Sequence, residues 1–156
     1  EMFNLPYNKF HKTLEIVTFI LLLAQIVYTA VLYPQLPSKI PSHFNLEGQI
    51  DGWSGKGSII ILVIVNVASY ILLTVTMFFP RLWNVPVKIT DKNKGIVFNY
   101  TINMVLLDKL ILVMSFSYIT YCSISATKMG WWFTPVMLVG VLGVTFYYTF
   151  KLFLVK

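Results

Sequence analysis

The stretch YPQLPSKIPSHFNLEGQIDGWSGKG, residues 33–57, separates two runs of almost pure hydrocarbon, Leu14–Tyr33 and Ile59–Phe79. It holds three prolines, one histidine, two acids and a tryptophan. A bilayer core needs about 20 apolar residues in helical form, and each flanking run has that length. The polar stretch therefore reads as a loop joining two membrane spans. Two further apolar runs, at about 100–124 and 131–154, follow a second loop at 80–99.

Composition agrees with this reading. Hydrophobic residues make up 57% of the 156 and charged residues only 12%, about half the share of an ordinary soluble domain. Mean hydropathy is +0.74. A water-soluble helical bundle shows a polar stripe on each helix, and these runs show none. The net charge of +6 does not point to nucleic acid, because the positive residues sit at the edges of apolar runs and not on one face. That placement suits anionic lipid headgroups. Cys122 is the only cysteine, so no intrachain disulfide forms, and its apolar surroundings give it the role of a small buried hydrophobe. The first run is too long for a signal-peptide core and reads as a retained span, with Met2 as the natural start and Glu1 as a leftover.

The expected fold is an all-α integral membrane protein, one domain over 1–156, with four transmembrane helices. Orientation follows from Lys and Arg in short loops. With the N-terminus inside, the inner side holds Lys9, Lys12, Arg81, Lys88, Lys92, Lys94, Lys151 and Lys156, against Lys39, Lys56 and Lys128 outside. Both termini are thus expected in the cytoplasm, with the protein multi-pass in the cell membrane. Trp131 and Trp132 mark the outer start of span four, Tyr147 and Tyr148 its inner end, and Trp83 the inner side of span two.

The extracytoplasmic loop 34–58 is expected to be structured. Pro34, Pro37 and Pro41 favour a stiff, extended course. Glu47-Gly48 and Asp51-Gly52 are turn signals, and His43–Asn45 can pair with Gln49–Trp53 across Leu46–Gly48. Phe44, Ile50 and Trp53 would lay the loop on the bundle mouth, with Trp53 as the buried anchor. His43, Asn45, Asp51, Trp53 and Lys56 are its candidate ligand-binding residues. His43, Glu47 and Asp51 are spaced four apart, but the glycines and prolines deny them a helix face, so metal ligation is the lesser reading. The structural reading has His43 and Asn45 tying down loop carbonyls and Asp51 capping a turn.

Within the spans, Gln25 and Asn66 lie at matched depth, roughly 11–12 Å from the outer ends. Such an amide pair suits interhelical glue or a polar cavity under the loop. Ser69 and Tyr70 share the face of Asn66. Asp108 and Lys109 are intramembrane charges, which default to a functional hypothesis. Glu15 is the expected partner of Lys109, and Thr74 or Thr76 that of Asp108. Thr90 reads as an N-cap for a third helix starting at Asp91, unless Gly95 breaks it. Gly140 and Gly143 offer close approach to a neighbouring helix. No nucleophile elbow, phosphate loop or HExxH occurs, so neither enzyme activity nor a cofactor is expected.

The loop motif resembles a known family. Leu36, Pro37, Ile40, Pro41, His43, Phe44 and Asn45, then Gly48, Asp51, Gly52, Trp53 and Lys56, are similar to the first loop of the bacterial domain-of-unknown-function 1648 family. That domain stands at the N-terminus of SdpI-type immunity proteins. The stretch NVPVKITDKN, Asn84 to Asn93, is similar to the inner loop of shorter members. The resemblance implies an immunity or signal-sensing module, meeting a membrane-active peptide outside and a cytoplasmic protein inside. The alternatives are a small transporter or oligomeric channel using Asn66, Asp108 and Lys109, and, behind it, a metal- or lipid-dependent enzyme using His43, Glu47 and Asp51.

Overall fold

The computed structural model describes residues 6–155; the reading of Glu1 and Met2, and Lys156 in the charge count, lie outside these residues. Among the described residues, four helices are long and apolar enough to cross a membrane: α1 Lys9–Leu32, α2 Ser58–Met77, α3 Lys94–Ser125 and α4 Phe133–Phe153. One antiparallel hairpin, β1 Lys39–Phe44 and β2 Ile50–Gly55, stands between α1 and α2. The chain is a multi-pass membrane protein with a structured loop.

The helix ends follow local chemistry. The α1 start is closed by a reciprocal pair: Asn8 Oδ1 accepts the His11 N–H, and His11 Nδ1 accepts the Asn8 N–H. This satisfies amides that a helix start otherwise leaves bare. The α3 start falls at Lys94 and not at Asp91. Thr90 and Asn93 exchange side-chain-to-backbone hydrogen bonds, and the Thr90 carbonyl accepts from both Asn93 and Lys94. The turn between them closes before the helix begins. Gly95 does not break α3, which runs for 32 residues and about 48 Å at 1.5 Å per residue. Its far end is closed at Ala126 in the left-handed region, φ 50°.

Helix α3 is central and packs against α1, α2 and α4. The bundle is inside out relative to a soluble protein. On α1 the buried positions are His11, Thr18, Leu22, Gln25 and Thr29, whereas Ile16, Phe19, Ile20 and Val31 are exposed. Buried α3 positions include Thr101, Lys109, Ser115, Thr120 and Ser123. In hydrocarbon a polar group must find its partner within the protein, so the polar face turns inward and the greasy face meets lipid. Gly140 of α4 does face α3, at Ile111, but a side chain at Gly143 would meet nothing within 4 Å.

Two apolar clusters lie near the bundle ends. Met77, Ile102 and Leu106 gather Tyr7, Leu14 and Trp83 at the end near the chain termini. Cys122, Met129 and Phe133 gather Phe44, Tyr118 and Ile119 at the hairpin end. The hairpin is thus seated on the bundle through β1. Ile40 is 2% exposed, and the Met129 N–H donates to the Gly48 carbonyl at 2.9 Å.

The hairpin is longer than the sequence reading and starts earlier. Register pairs Lys39 with Gly55, Ile40 with Ser54 and Pro41 with Trp53. Pro41 fits because a two-stranded hairpin has only edge strands, where one N–H need not enter the ladder. The expectation that Trp53 is the buried anchor is overturned, since Trp53 is 57% exposed. The reason is the two-residue period of a strand. Along β2, Ile50, Gly52 and Ser54 are half-buried while Asp51, Trp53 and Gly55 are exposed. Trp53 lies on the face turned away from the bundle.

Candidate functional site

The hairpin displays its candidate residues in two layers. In the turn, Asn45 Oδ1 accepts from the Glu47 and Gln49 N–H groups, and Gly48, at φ +77°, completes the reversal. Asn45 therefore holds loop amides, not carbonyls. On the outer face, His43 Nδ1 lies 2.5 Å from Asp51 Oδ1. His43 reaches across the strands and does not bind a loop carbonyl as the structural reading had it. Two register irregularities create this pair. Pro41 faces Trp53 and His43 faces Gly52, so Ser42 is an extra residue; His43 then faces Gly52 and Phe44 faces Ile50, so Asp51 is an extra residue. Such bulges re-aim side chains. Trp53 stands exposed on the same strand as Asp51.

Lys56 closes the hairpin base. Its Nζ lies 3.5 Å from the Tyr33 carbonyl and 4.9 Å from the Tyr33 ring centroid. It is engaged with the end of α1 and stands apart from the His43–Asp51 pair. Among the described residues, no three His, Cys, Asp or Glu side chains come together as a metal site.

The second group is a column of polar side chains inside the bundle. Asn66 Nδ2 donates to Gln25 Oε1 at 2.5 Å, and Gln25 Nε2 donates to Thr120 Oγ1 at 2.8 Å. One amide pair thus ties α2 to α1 and onward to α3. Asn66 is fully buried, and its Oδ1 has no partner. Ser69 and Tyr70 do not join the pair: Ser69 bonds the Val65 carbonyl.

Nearer the termini, fully buried Lys109 donates to both Glu15 oxygens at 2.7 Å and to Thr74 Oγ1 at 3.1 Å. The Tyr70 ring centroid lies 4.7 Å from its Nζ. The Tyr7 hydroxyl, 3.4 Å from Glu15 Oε1, donates to the same carboxylate. Burial and then the Glu15 charge push the Tyr7 hydroxyl above its ordinary range, so it remains a donor.

The Lys109–Glu15 pairing matches the sequence reading, but the Asp108 pairing does not. Thr74 serves Lys109, Thr76 bonds the Leu73 carbonyl, and Asp108 Oδ2 accepts from Thr145 of α4 at 2.9 Å. Successive residues on a helix are about 100° apart, so Asp108 and Lys109 must address different neighbours. The other Asp108 oxygen is buried without a partner.

Sequence reasoning also missed a third buried polar contact. His11 is fully buried, and its Nε2 lies 2.8 Å from Asn103 Oδ1. Because Nδ1 accepts from Asn8, Nε2 carries the hydrogen and donates. The available signal was the pair Asn8 and His11, three apart at the start of an apolar run.

The hairpin, the second half of α1 and the first half of α2 are consecutive in the chain. Residues 20–67 match the family described as Domain of unknown function (DUF1648). The matched segment contains Gln25, the whole hairpin, Lys56 and Asn66, and it is the family that the loop motif resembles. The segment similar to that family thus brings both members of the amide pair and the outward-facing His43, Asp51 and Trp53. Helices α3 and α4, with Asp108 and Lys109, lie beyond the match. No curated protein and no solved structure matches the chain.

Proposed function

We propose that the chain is a bacterial immunity or signal-sensing module of the cell membrane, with both termini in the cytoplasm and the hairpin outside. The hairpin's outward face would recognise a membrane-active peptide or an envelope component. The observation that carries this reading is Trp53, 57% exposed on a hairpin that Ile40 and Phe44 seat on the bundle. A loop that served only as a lid would bury its one tryptophan. This one displays it on the strand of Asp51, which pairs with His43, and an exposed aromatic beside polar anchors suits peptide or interface binding.

The route inward supports the same reading. β1 rests against α3, and α3 carries Thr120 and Lys109 toward a basic loop that holds Arg81, Lys88 and Lys92. That loop suits anionic lipid or a cytoplasmic partner. A deletion strain challenged with membrane-active peptides should become sensitive and be rescued by the wild-type chain. Trp53→Ala, at equal membrane abundance, should fail to rescue. Rescue by Trp53→Ala equal to wild type, or a deletion strain no more sensitive than its parent, sinks the proposal.

A second reading, a small transporter or oligomeric channel, draws on the buried Asp108 oxygen without a partner. Its discriminator is a water-accessible path from the hairpin to Asp108, measured by reactivity of Asp108→Cys to small polar thiol reagents.

A further inference from the structure

The hairpin has two free edges, and they are unequal. The Lys56 N–H donates to the Ser38 carbonyl at 3.0 Å, so Ser38 and Lys56 form a hydrogen-bonded pair at the hairpin base. In an antiparallel ladder such pairs alternate with pairs whose N–H and C=O groups point away from the partner strand. Lys39 opposite Gly55 and Pro41 opposite Trp53 fall in the second class. Pro41 agrees, because a residue without an N–H fits a ladder where that group would point outward. The outward edge of β1 therefore lacks a donor at Pro41. The outward edge of β2 presents the N–H and C=O groups of Trp53 and Gly55.

Edge strands invite pairing, and proteins blunt them with Pro, Lys, a bulge or a covering element. β1 has all of these. Ile40 and Pro41 are buried, Lys39 stands at its start, Ser42 bulges, and the strand packs on α3. β2 holds neither Pro nor Lys, and among the described elements it packs closely on β1 alone. Its bulge at Asp51 lies toward the turn and leaves Trp53–Gly55 in regular register. Trp53 and Gly55 are exposed, and a Cβ at Gly55 would meet nothing nearer than the Ser38 carbonyl oxygen at 3.9 Å. Charge names the occupant. Between Lys39 and Lys56 the hairpin carries Glu47 and Asp51, both exposed, and no Lys or Arg.

We propose that the free edge of β2, at Trp53–Gly55, takes an extended cationic peptide segment as a third strand. The proposal rests on the sensing reading and names what the hairpin recognises, the backbone of a peptide held in extended form. Main-chain hydrogen bonds to Trp53 and Gly55 supply the affinity. Alternate side chains of the added strand fall on the face of Trp53 and Asp51. A Lys or Arg there meets the Asp51 carboxylate and the face of the Trp53 ring.

The test is equilibrium titration of the purified chain, in uncharged detergent, with a labelled octapeptide of alternating Lys and Val blocked at both ends. One control is the fully N-methylated peptide, which keeps every side chain and loses every N–H. The other replaces each Lys by Glu. Wild type should bind the Lys-Val peptide saturably, and each control at least about tenfold more weakly, the loss of a hydrogen bond or of charge pairing. Saturating Lys-Val peptide should slow amide hydrogen exchange at Trp53 and Gly55. Gly55→Pro removes one outward N–H, as Pro41 does on β1, and should weaken binding by a similar factor. Gly55→Ala keeps that N–H and should bind as wild type. Should Gly55→Pro fail to fold, the N-methylated peptide and the exchange at Trp53 give the same readout on the wild-type chain. The proposal is overturned if the Lys-Val peptide does not bind, if the N-methylated peptide binds as tightly, or if exchange at Trp53 and Gly55 is unchanged. A wild-type dimer that Gly55→Pro dissolves assigns the edge to a second copy and likewise overturns it. The deletion-strain challenge keeps the two failures apart. Sensitised cells with no edge pairing leave sensing standing alone, and Gly55-dependent pairing with unsensitised cells leaves edge pairing standing alone.

Discussion

Lys109 and Glu15 form an asymmetric pair. The Lys109 side chain is wholly buried while that of Glu15 keeps 21% of its surface. Removing one partner of a buried pair leaves the other uncompensated, at roughly 3–5 kcal/mol. Glu15→Gln strands the fully buried cation and should sit at the upper end of that range. Lys109→Met leaves a carboxylate that still reaches polar surroundings and should cost less. The double variant Glu15→Gln, Lys109→Met should recover part of the loss, because neither charge is then stranded. Melting in detergent measures all three, and a simple sum of the single effects would show that the pair is not coupled. The amides make a smaller statement. Gln25→Leu and Asn66→Leu should each destabilise modestly, with a coupling of about 0.6 kcal/mol and seldom above 2. Both pairs were legible in the sequence, because charge sign and helical depth determine who can meet whom. The partner of Asp108 was not, because depth fails to say which neighbour a residue faces. That depends on rotation about the helix, and α3, central and polar on several sides, shows no single apolar stripe from which to read it.

At the scale of the element, the hairpin is held by the Ile40 and Phe44 side chains and by a backbone hydrogen bond at Gly48. A Cβ at Gly48 would come within 2.0 Å of the Met129 carbonyl oxygen, and Gly48 adopts φ +77°. Gly48→Ala therefore meets two obstacles: about 1–2 kcal/mol for a left-handed L-residue, and a clash with backbone that cannot rotate aside. It should lift the turn from the α3–α4 connection and expose the hairpin to added protease. Trp53→Ala should leave protease resistance and melting nearly unchanged, since surface substitutions stay within about 0.5 kcal/mol. If Trp53→Ala loosens the hairpin and Gly48→Ala does not, the docking is through the tryptophan after all. The turn signals Glu47-Gly48 and Asp51-Gly52 marked a hairpin, and Phe44 was expected on the bundle. The error at Trp53 came from treating every apolar residue of the loop as buried. Strict alternation puts Asp51 and Trp53 on one face, and since Asp51 belongs in water, so does Trp53. The bulge at Ser42 had no signal, because a bulge is fixed by how two strands share a turn and not by the composition of either.

For the whole molecule, the decisive quantity is which end faces the cytoplasm. Hydrocarbon length made four spans legible. The reading that no span carries a polar stripe fails at α1, which turns His11, Thr18, Gln25 and Thr29 inward. Both α1 and α3 start several residues before the expected runs. Orientation rests on a different physical asymmetry. Positive residues resist translocation and are held by anionic lipid on the inner face. The end opposite the hairpin carries Lys9, Lys12, Arg81, Lys88, Lys92, Lys94 and Lys151, and the hairpin end carries Lys39, Lys56 and Lys128. The aromatic residues are not diagnostic, because belts form at both interfaces: Trp131 is exposed at one end and Tyr147 at the other. A direct measurement uses thiol labelling by a membrane-impermeant reagent. Leu46, 82% exposed at the hairpin tip, and Lys92, exposed in the opposite loop, are suitable positions for cysteine. The native Cys122 is 1% exposed and should give little background. In intact cells Leu46→Cys should label and Lys92→Cys should not, and both should label once the cells are opened. The reverse pattern would place the basic loop outside, leave the hairpin facing the cytoplasm, and remove the basis for an extracellular ligand at His43, Asp51 and Trp53.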